Sequence, residues 1–381
     1  MRVRHTSRAL ALAALLALCA AASDHPVAPI GTPAPDFHLP GVDGKMHSLA
    51  DYAGNKLLAI VFTCNHCPIA QIYEQRIAKL AADYGPRGVA VVAVQPNAPE
   101  AIRLDELDCS DVSDSPAEMK IRARYKRITY PYLYDGAEQQ LARALGPQAT
   151  PHVFVFDQQR KLRYEGRVDD SYRPEKVKSE DARNAIEVLL AGRDVAVAHT
   201  GVFGCSTKWK EKEASRLAAL RKIESLPVTL NPVSADELKT LRANAGDKFT
   251  LIAFWSKECE TCVQQLEGFE TTRRMYGPRS FDVVTVAAGK PEEHARLQAA
   301  LARIHAAGRN LFIDEKEATA VSEVFGGQWT AGAPYAVLLA PGGEVLFSKA
   351  GSVDMLALRR TILSRLPGEY AGFNRYWMAK Q

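Results

Sequence analysis

Short, nearly uninterrupted apolar runs recur along this chain and alternate with stretches in which apolar residues return at helical spacing. Residues 57–62, 89–94 and 151–156 are such runs, and 249–255, 281–286 and 334–339 repeat the pattern towards the other end. Runs of this length without polar alternation predict strands buried on both faces of a sheet. A helix is predicted from about 67 to 84, between the first two runs, so the order is β-α-β. Such crossovers are right-handed and leave the reactive edge at the strand C-termini. A small hairpin is expected before this core, with 35–39 and 45–49 flanking a turn at 42–44.

Residues 97–130 read as an insertion, polar and acidic first and helical around 117–125, with Cys109 in its acidic part. After it come a strand at 132–134, a helix at 138–145, strands from 151 and at 161–164 joined by a turn at 157–160, and a closing helix at 181–190. Residues 206–225 are rich in Lys, Glu and Arg, with Leu217, Leu220 and Ile223 at helical spacing, and predict a linker helix with a solvated face. The second unit restarts at 228–230. Ser234 and Glu237 are placed as a capping box, and the following strands and helices, ending in a helix at 355–366, repeat the order of the first unit. The expected class is α/β, two tandem units with central mixed sheets flanked by helices.

A length of 381 residues suffices for two cores. The formal charge of +4 has no basic tract behind it, so nucleic acid is not an expected partner. Arg2, Arg4 and Arg8 precede an apolar stretch at 9–22 that ends with Ala20 and Ala22 in an A-x-A arrangement. This predicts a cleaved signal peptide and a periplasmic or secreted protein. The stretch is shorter than the ~20 apolar residues a bilayer needs, and no stable span is expected in the mature form. A lipoprotein would use Cys19, but Leu18 stands where a small residue belongs, so that reading ranks second. The expected boundaries are 1–22 for the leader, 23–205 for the first unit, 206–226 for the linker and 227–381 for the second unit.

Each unit carries one Cys-x-x-Cys after its first long strand: Cys64-Asn65-His66-Cys67 and Cys259-Glu260-Thr261-Cys262. A dithiol at a helix start suits thiol chemistry because N-terminal amides and the macrodipole stabilise a thiolate. Cys64 and Cys259 are the expected nucleophiles, with Cys67 and Cys262 resolving the mixed disulfide. A protonated His66 would favour a thiolate at Cys64, whereas Glu258 and Glu260 disfavour one at Cys259. The second site is therefore expected to be the more reducing. An exported chain keeps disulfides, so protein dithiols and disulfides are the expected partners. No cofactor beyond redox-active disulfides is expected.

Residues of about 30–210 resemble the AhpC/TSA or redoxin group of thioredoxin-fold proteins. The likeness rests on the Gly31-Thr32-Pro33-Ala34-Pro35-Asp36-Phe37 opening, Phe62-Thr63-Cys64-Asn65-His66-Cys67-Pro68, 150–157, 166–170 and Gly204-Cys205-Ser206-Thr207-Lys208-Trp209. Residues of about 228–366 resemble a TlpA/ResA-type thioredoxin domain through Phe254-Trp255, the second Cys pair, Ala333-Pro334 and Gly342-Gly343. The resemblance implies two thioredoxin-like folds and cis peptides at Thr150-Pro151 and Ala333-Pro334, beside each dithiol, where substrate backbone docks. It also marks departures. Leu58 and Ala253 stand where thioredoxins bury an Asp, leaving proton transfer to His66 and a flanking Glu, and Thr63 and Glu258 replace a Trp. A peroxiredoxin needs Thr or Ser three residues before its reactive Cys and Pro further upstream. Before Cys67 those places hold Cys64 and Ile60, and before Cys64 they hold Val61 and Leu57.

The expected activity is thus thiol-disulfide exchange, with an intramolecular relay between the two dithiols. An antioxidant thiol peroxidase is the alternative, and a copper-binding module with His66 and His152 near Cys64 and Cys67 is a third reading. Zinc is not expected, because nearly two hundred residues separate the pairs where zinc sites use about 15 to 20. Cys205 is either an additional redox thiol, a partner for Cys109, or an inert buried Cys. The sequence predicts no oligomeric state.

Overall fold

The computed structural model describes residues 25–259, 261–326, 329–330, 332–368 and 376–377. The expected leader, with Cys19, and Glu260 lie outside them. The elements run β1 (His38–Pro40), β2 (Met46–Ser48), β3 (Leu57–Phe62), α1 (Pro68–Tyr84), β4 (Val89–Gln95), α2 (Pro116–Tyr125), β5 (Tyr132–Tyr134), α3 (Gln140–Leu145), β6 (Ala149–Thr150), β7 (His152–Phe156), β8 (Leu162–Gly166), α4 (Asp181–Leu190) and β9 (Cys205–Ser206). Then follow α5 (Glu213–Glu224), β10 (Asn231–Pro232), α6 (Ala235–Ala243), β11 (Phe249–Ser256), α7 (Cys262–Tyr276), β12 (Phe281–Gly289), α8 (His294–Arg303), β13 (Arg309–Asp314), α9 (Thr319–Phe325), β14 (Tyr335–Leu339), β15 (Val345–Ala350) and α10 (Met355–Arg365).

The first sheet has the order β5-β4-β3-β7-β8, and the second the order β10-β13-β12-β11-β14-β15. In both, the strand that leads to the dithiol is central, parallel to the next strand in sequence and antiparallel to the strand after the proline. The chain is therefore two tandem thioredoxin-like α/β folds. Apolar residues alternate between the two faces of β3: Leu57, Ala59 and Val61 join the cluster under α1 and α4, while Leu58, Ile60 and Phe62 join the one under α3. Burial on both faces is what an uninterrupted apolar run requires. The Ser234 and Glu237 capping box forms at the start of α6, with the Ser234 amide 2.8 Å from the Glu237 carboxylate.

The segment between β4 and β5 joins the units. Ile102, Leu107 and Cys109 lie in one apolar cluster with Leu251, Trp255, Cys259, Cys262, Leu266 and Phe269 of the second unit. Polar bonds reinforce this contact: the Tyr276 hydroxyl donates to the Ser110 carbonyl at 2.8 Å, and Arg360 donates to Asp111 at 2.7 Å. The buried Arg122 donates to the same Asp111 at 2.7 Å. Residues 206–209 pack within the first unit, where Trp209 joins the core and the Lys208 carbonyl accepts from Ala98 at 2.9 Å. Among the described residues no helix is long and apolar enough to cross a membrane.

Candidate active site

Strand β3 delivers Cys64 to the sheet edge, and the chain turns into α1 with Cys67 as the N-cap and Pro68 at the first helical position, where a missing N–H costs nothing. Both cysteines are thiols, almost completely buried. The amides converge on Cys67. Its Sγ accepts from the Ala70 N–H at 3.5 Å and from the Cys205 N–H at 3.2 Å, and as a thiol it reaches the Thr150 carbonyl at 3.3 Å. Cys64 Sγ lies 3.1 Å from Thr150 Oγ1.

The hydrogen-bond donors thus gather at Cys67, where the motif placed them at Cys64. Burial pushes the Cys67 thiol up, but hydrogen bonds from the Cys205 and Cys64 thiols, the charge of His66 and the Ala70 amide outweigh it, so Cys67 is held well below the usual thiol value. Cys64 is pushed well above it by burial, by its bond to Cys67 and by the negative Asp114. The helix begins one residue after Cys67, so the sulfur that meets the open amides is the second one, and Cys64 sits outside their reach.

His66 is buried, with Nδ1 2.6 Å from Asp114 Oδ2. Burial lowers its proton affinity, yet the Asp114 charge and hydrogen bond win and raise it, while Asp114 is lowered against its own burial by His66 and by Asn97. Asp114 also holds the motif's backbone: Oδ1 accepts from the Asn65 and His66 amides at 2.8 and 3.1 Å, and Oδ2 accepts from Asn97 at 2.8 Å. Gln71 donates to the Asn65 carbonyl at 2.7 Å and to the Cys109 carbonyl at 2.9 Å, tying the motif to the insertion. Asp114 was not singled out from the sequence. Its one sequence signal is the Ser-Asp-Ser-Pro turn before α2, which reads as a helix cap.

Thr150-Pro151 is a cis peptide, and Ala333-Pro334 is not. The expectation of a second cis bond is thus corrected: X–Pro isomers differ by only about 0.5–1 kcal/mol, so local packing decides. At Ala333 the carbonyl accepts from the Trp329 indole at 2.9 Å. His152 is turned away from the sulfurs. Its Nε2 lies 2.8 Å from Glu165 and its Nδ1 accepts from the Gln148 amide at 3.2 Å, so the pairing of His152 with the dithiol expected for copper is not formed. A different set with ligating side chains does come together: Cys64, His66 and Asp114, with one atom of each within 4.8 Å of the others. Both Asp114 oxygens already hold the motif, which makes Asp114 an anchor first.

In the second unit Cys259 and Cys262 form a disulfide, and both are buried. Cys262 opens α7. Glu258 is half-exposed and lies 3.7 Å from Lys257, whose ammonium also pairs with Glu293. The negative flank expected at this site is therefore partly compensated. Cys205 is neither in a disulfide nor paired with Cys109; it stands against Cys67, in β9 opposite Thr150.

Residues 30–165 match the model of the AhpC/TSA family. No curated protein sequence matches the chain. Among solved structures, a hypothetical protein from Sinorhizobium meliloti 1021 is 33% identical, over 48% of this chain and 95% of that one, with a TM-score of 0.42. An uncharacterized conserved protein from Geobacillus kaustophilus is 37% identical over 48% and 93%, also at 0.42. A thiol:disulfide interchange protein of the thioredoxin family from Chlorobium tepidum TLS is 20% identical over 43% and 99%, at 0.32.

Proposed function

We propose that the protein, whose residues 30–165 match the AhpC/TSA family model, is a thiol-disulfide oxidoreductase acting through both Cys-x-x-Cys pairs. The observation that carries this reading is the position of Cys67 at the start of α1, with the Ala70 and Cys205 amides donating to its sulfur beside the Thr150 carbonyl. A thiolate stabilised in this way both attacks a disulfide and departs from one. Cys67 attacks a partner disulfide, forming a mixed disulfide and releasing one partner thiolate. Cys64 then attacks the Cys67 sulfur and releases the second, so two electrons and two protons pass to the partner and Cys64–Cys67 becomes a disulfide. His66, whose proton affinity the Asp114 pair raises, is the titratable group beside the sulfurs.

The relay between the units is supported by the insertion. Its Cys109 carbonyl is held by Gln71 of α1, and its Cys109 side chain lies in the apolar cluster of Cys259 and Cys262. Electrons would pass from the second pair to the first, and tethering would raise their effective concentration. The second unit is read as TlpA-like on its strand order and its dithiol. Export rests on the sequence of residues 1–22.

The test is turnover of the full chain on a protein disulfide, insulin, and on hydrogen peroxide, with the same dithiol reductant. Insulin reduction lost in Cys67→Ser supports the reading. Peroxide consumption without insulin reduction replaces it with the peroxidase. Unchanged turnover in the Cys259→Ser, Cys262→Ser double variant removes the relay and leaves the exchange.

A further inference from the structure

The dithiol of the first unit is sealed. Cys64 and Cys67 are 2% and 0% exposed, while Cys205, in contact with Cys67, is the partly exposed residue of the three. Strand β9 pairs antiparallel with β6, Thr150 opposite Cys205. It therefore occupies the edge before the cis-proline at which a partner backbone would add.

The segment is built to stay there. Gly204 has φ +140 and lies so close to the Thr150 carbonyl that a Cβ would strike it, which only glycine avoids. Thr207 donates to the Pro147 carbonyl at 2.6 Å, the Lys208 amide donates to Asn97 at 2.8 Å, and Phe203 packs against Tyr73 and Tyr172. These contacts hold Cys205 on Cys67 from both sides.

We infer that Cys205 is the exchange port of the buried dithiol: it takes over the disulfide from Cys64 by bonding to Cys67, and it is the sulfur that outside dithiol partners attack. This rests on the proposed thiol-disulfide activity and names the residue through which it reaches the surface. With Cys64–Cys67 oxidised, the Cys205 thiolate attacks Cys67 Sγ. The Cys67–Cys205 bond forms, the Cys64–Cys67 bond breaks, and Cys64 leaves with the proton that Cys205 gave up, so no net electrons move. A partner thiolate then attacks Cys205 Sγ, and Cys67 departs as the stabilised thiolate, the better leaving group. The partner's second thiol attacks its own mixed-disulfide sulfur and frees Cys205, so the partner dithiol is oxidised and Cys67 and Cys205 are reduced.

The test maps disulfides in the full chain by acid quench, alkylation and peptide mass spectrometry, which reads each cysteine pair separately. In Cys64→Ser, mild oxidation with glutathione disulfide is expected to give a Cys67–Cys205 bond. In Cys205→Ser and Cys205→Ala alike, reduction of Cys64–Cys67 by reduced thioredoxin is expected to slow about tenfold or more. If Cys67 and Cys205 in Cys64→Ser both stay open to alkylation, or if both Cys205 variants are reduced at the wild-type rate, the port is overturned while the exchange activity stands. If the wild-type Cys64–Cys67 disulfide itself never forms or is never reduced, the activity fails, and the port with it.

Discussion

His66 Nδ1 lies 2.6 Å from Asp114 Oδ2, a fully buried pair in which the same carboxylate also accepts the amides of Asn65 and His66. One side chain from the insertion thus sets both the shape of the first dithiol loop and the charge next to it. Asp114 titrates lower in the folded protein, so its contribution is complete above the ordinary carboxylate value and fades as pH falls. His66 titrates higher, so its contribution is complete below the ordinary imidazole value and fades as pH rises. The stability gap between wild type and Asp114→Asn is expected to be widest between about pH 4 and 6.5, at about 1–3 kcal/mol for the unmade buried bonds. Urea midpoints across pH check this; a gap that does not change with pH contradicts it.

The thiolate should follow Cys67. In the Cys64→Ser variant, thiolate absorbance in the ultraviolet is expected to titrate below the ordinary thiol range of about 8.5. In Cys67→Ser that low transition should vanish. A low transition that survives there would return the nucleophile to Cys64.

The two disulfides should differ in potential. The hydrogen bonds to Cys67 stabilise the reduced first site, whereas Glu258 stands beside Cys259, offset by a Lys257 that it shares with Glu293. Glutathione titration of full chains in which one pair is replaced by serines is expected to place the first disulfide at least about 30 mV more oxidising, a factor of ten in equilibrium constant. The reverse order would show that the Glu258 flank is fully neutralised.

Asp111 pairs with Arg122 of its own insertion and with Arg360 of the second unit, both at 2.7 Å. Asp111→Ala leaves the buried Arg122 charge with its weaker partner Glu74 at 3.8 Å, and is expected to destabilise the chain by about 3–5 kcal/mol. Denaturant melting followed by tryptophan fluorescence measures it. A cost within that of an exposed ion pair, about 0–1 kcal/mol, would mean that the Asp111 pairs do not stabilise the buried Arg122 charge.

Periodicity and motif spacing were enough to place both sheets, both dithiols and the repeat, because a strand buried on both faces must be apolar throughout and a helix N-terminus attracts small polar and Pro residues. Those are local requirements, and residues such as 57–62 or Ser234 with Glu237 meet them within a few positions. What only the tertiary structure decided is which groups meet across long separations. Asp114 reaches the first motif from the insertion, Cys205 reaches Cys67 from beyond the last helix of its unit, and His152 faces Glu165 and not the sulfurs. Each changes a charge or a proton at the site, and none leaves a periodic trace, since a single polar contact constrains one residue and not a pattern. The same holds for the two prolines, where one peptide is cis and the other is not, and for the Ala70 and Cys205 amides, which the folded chain places against Cys67.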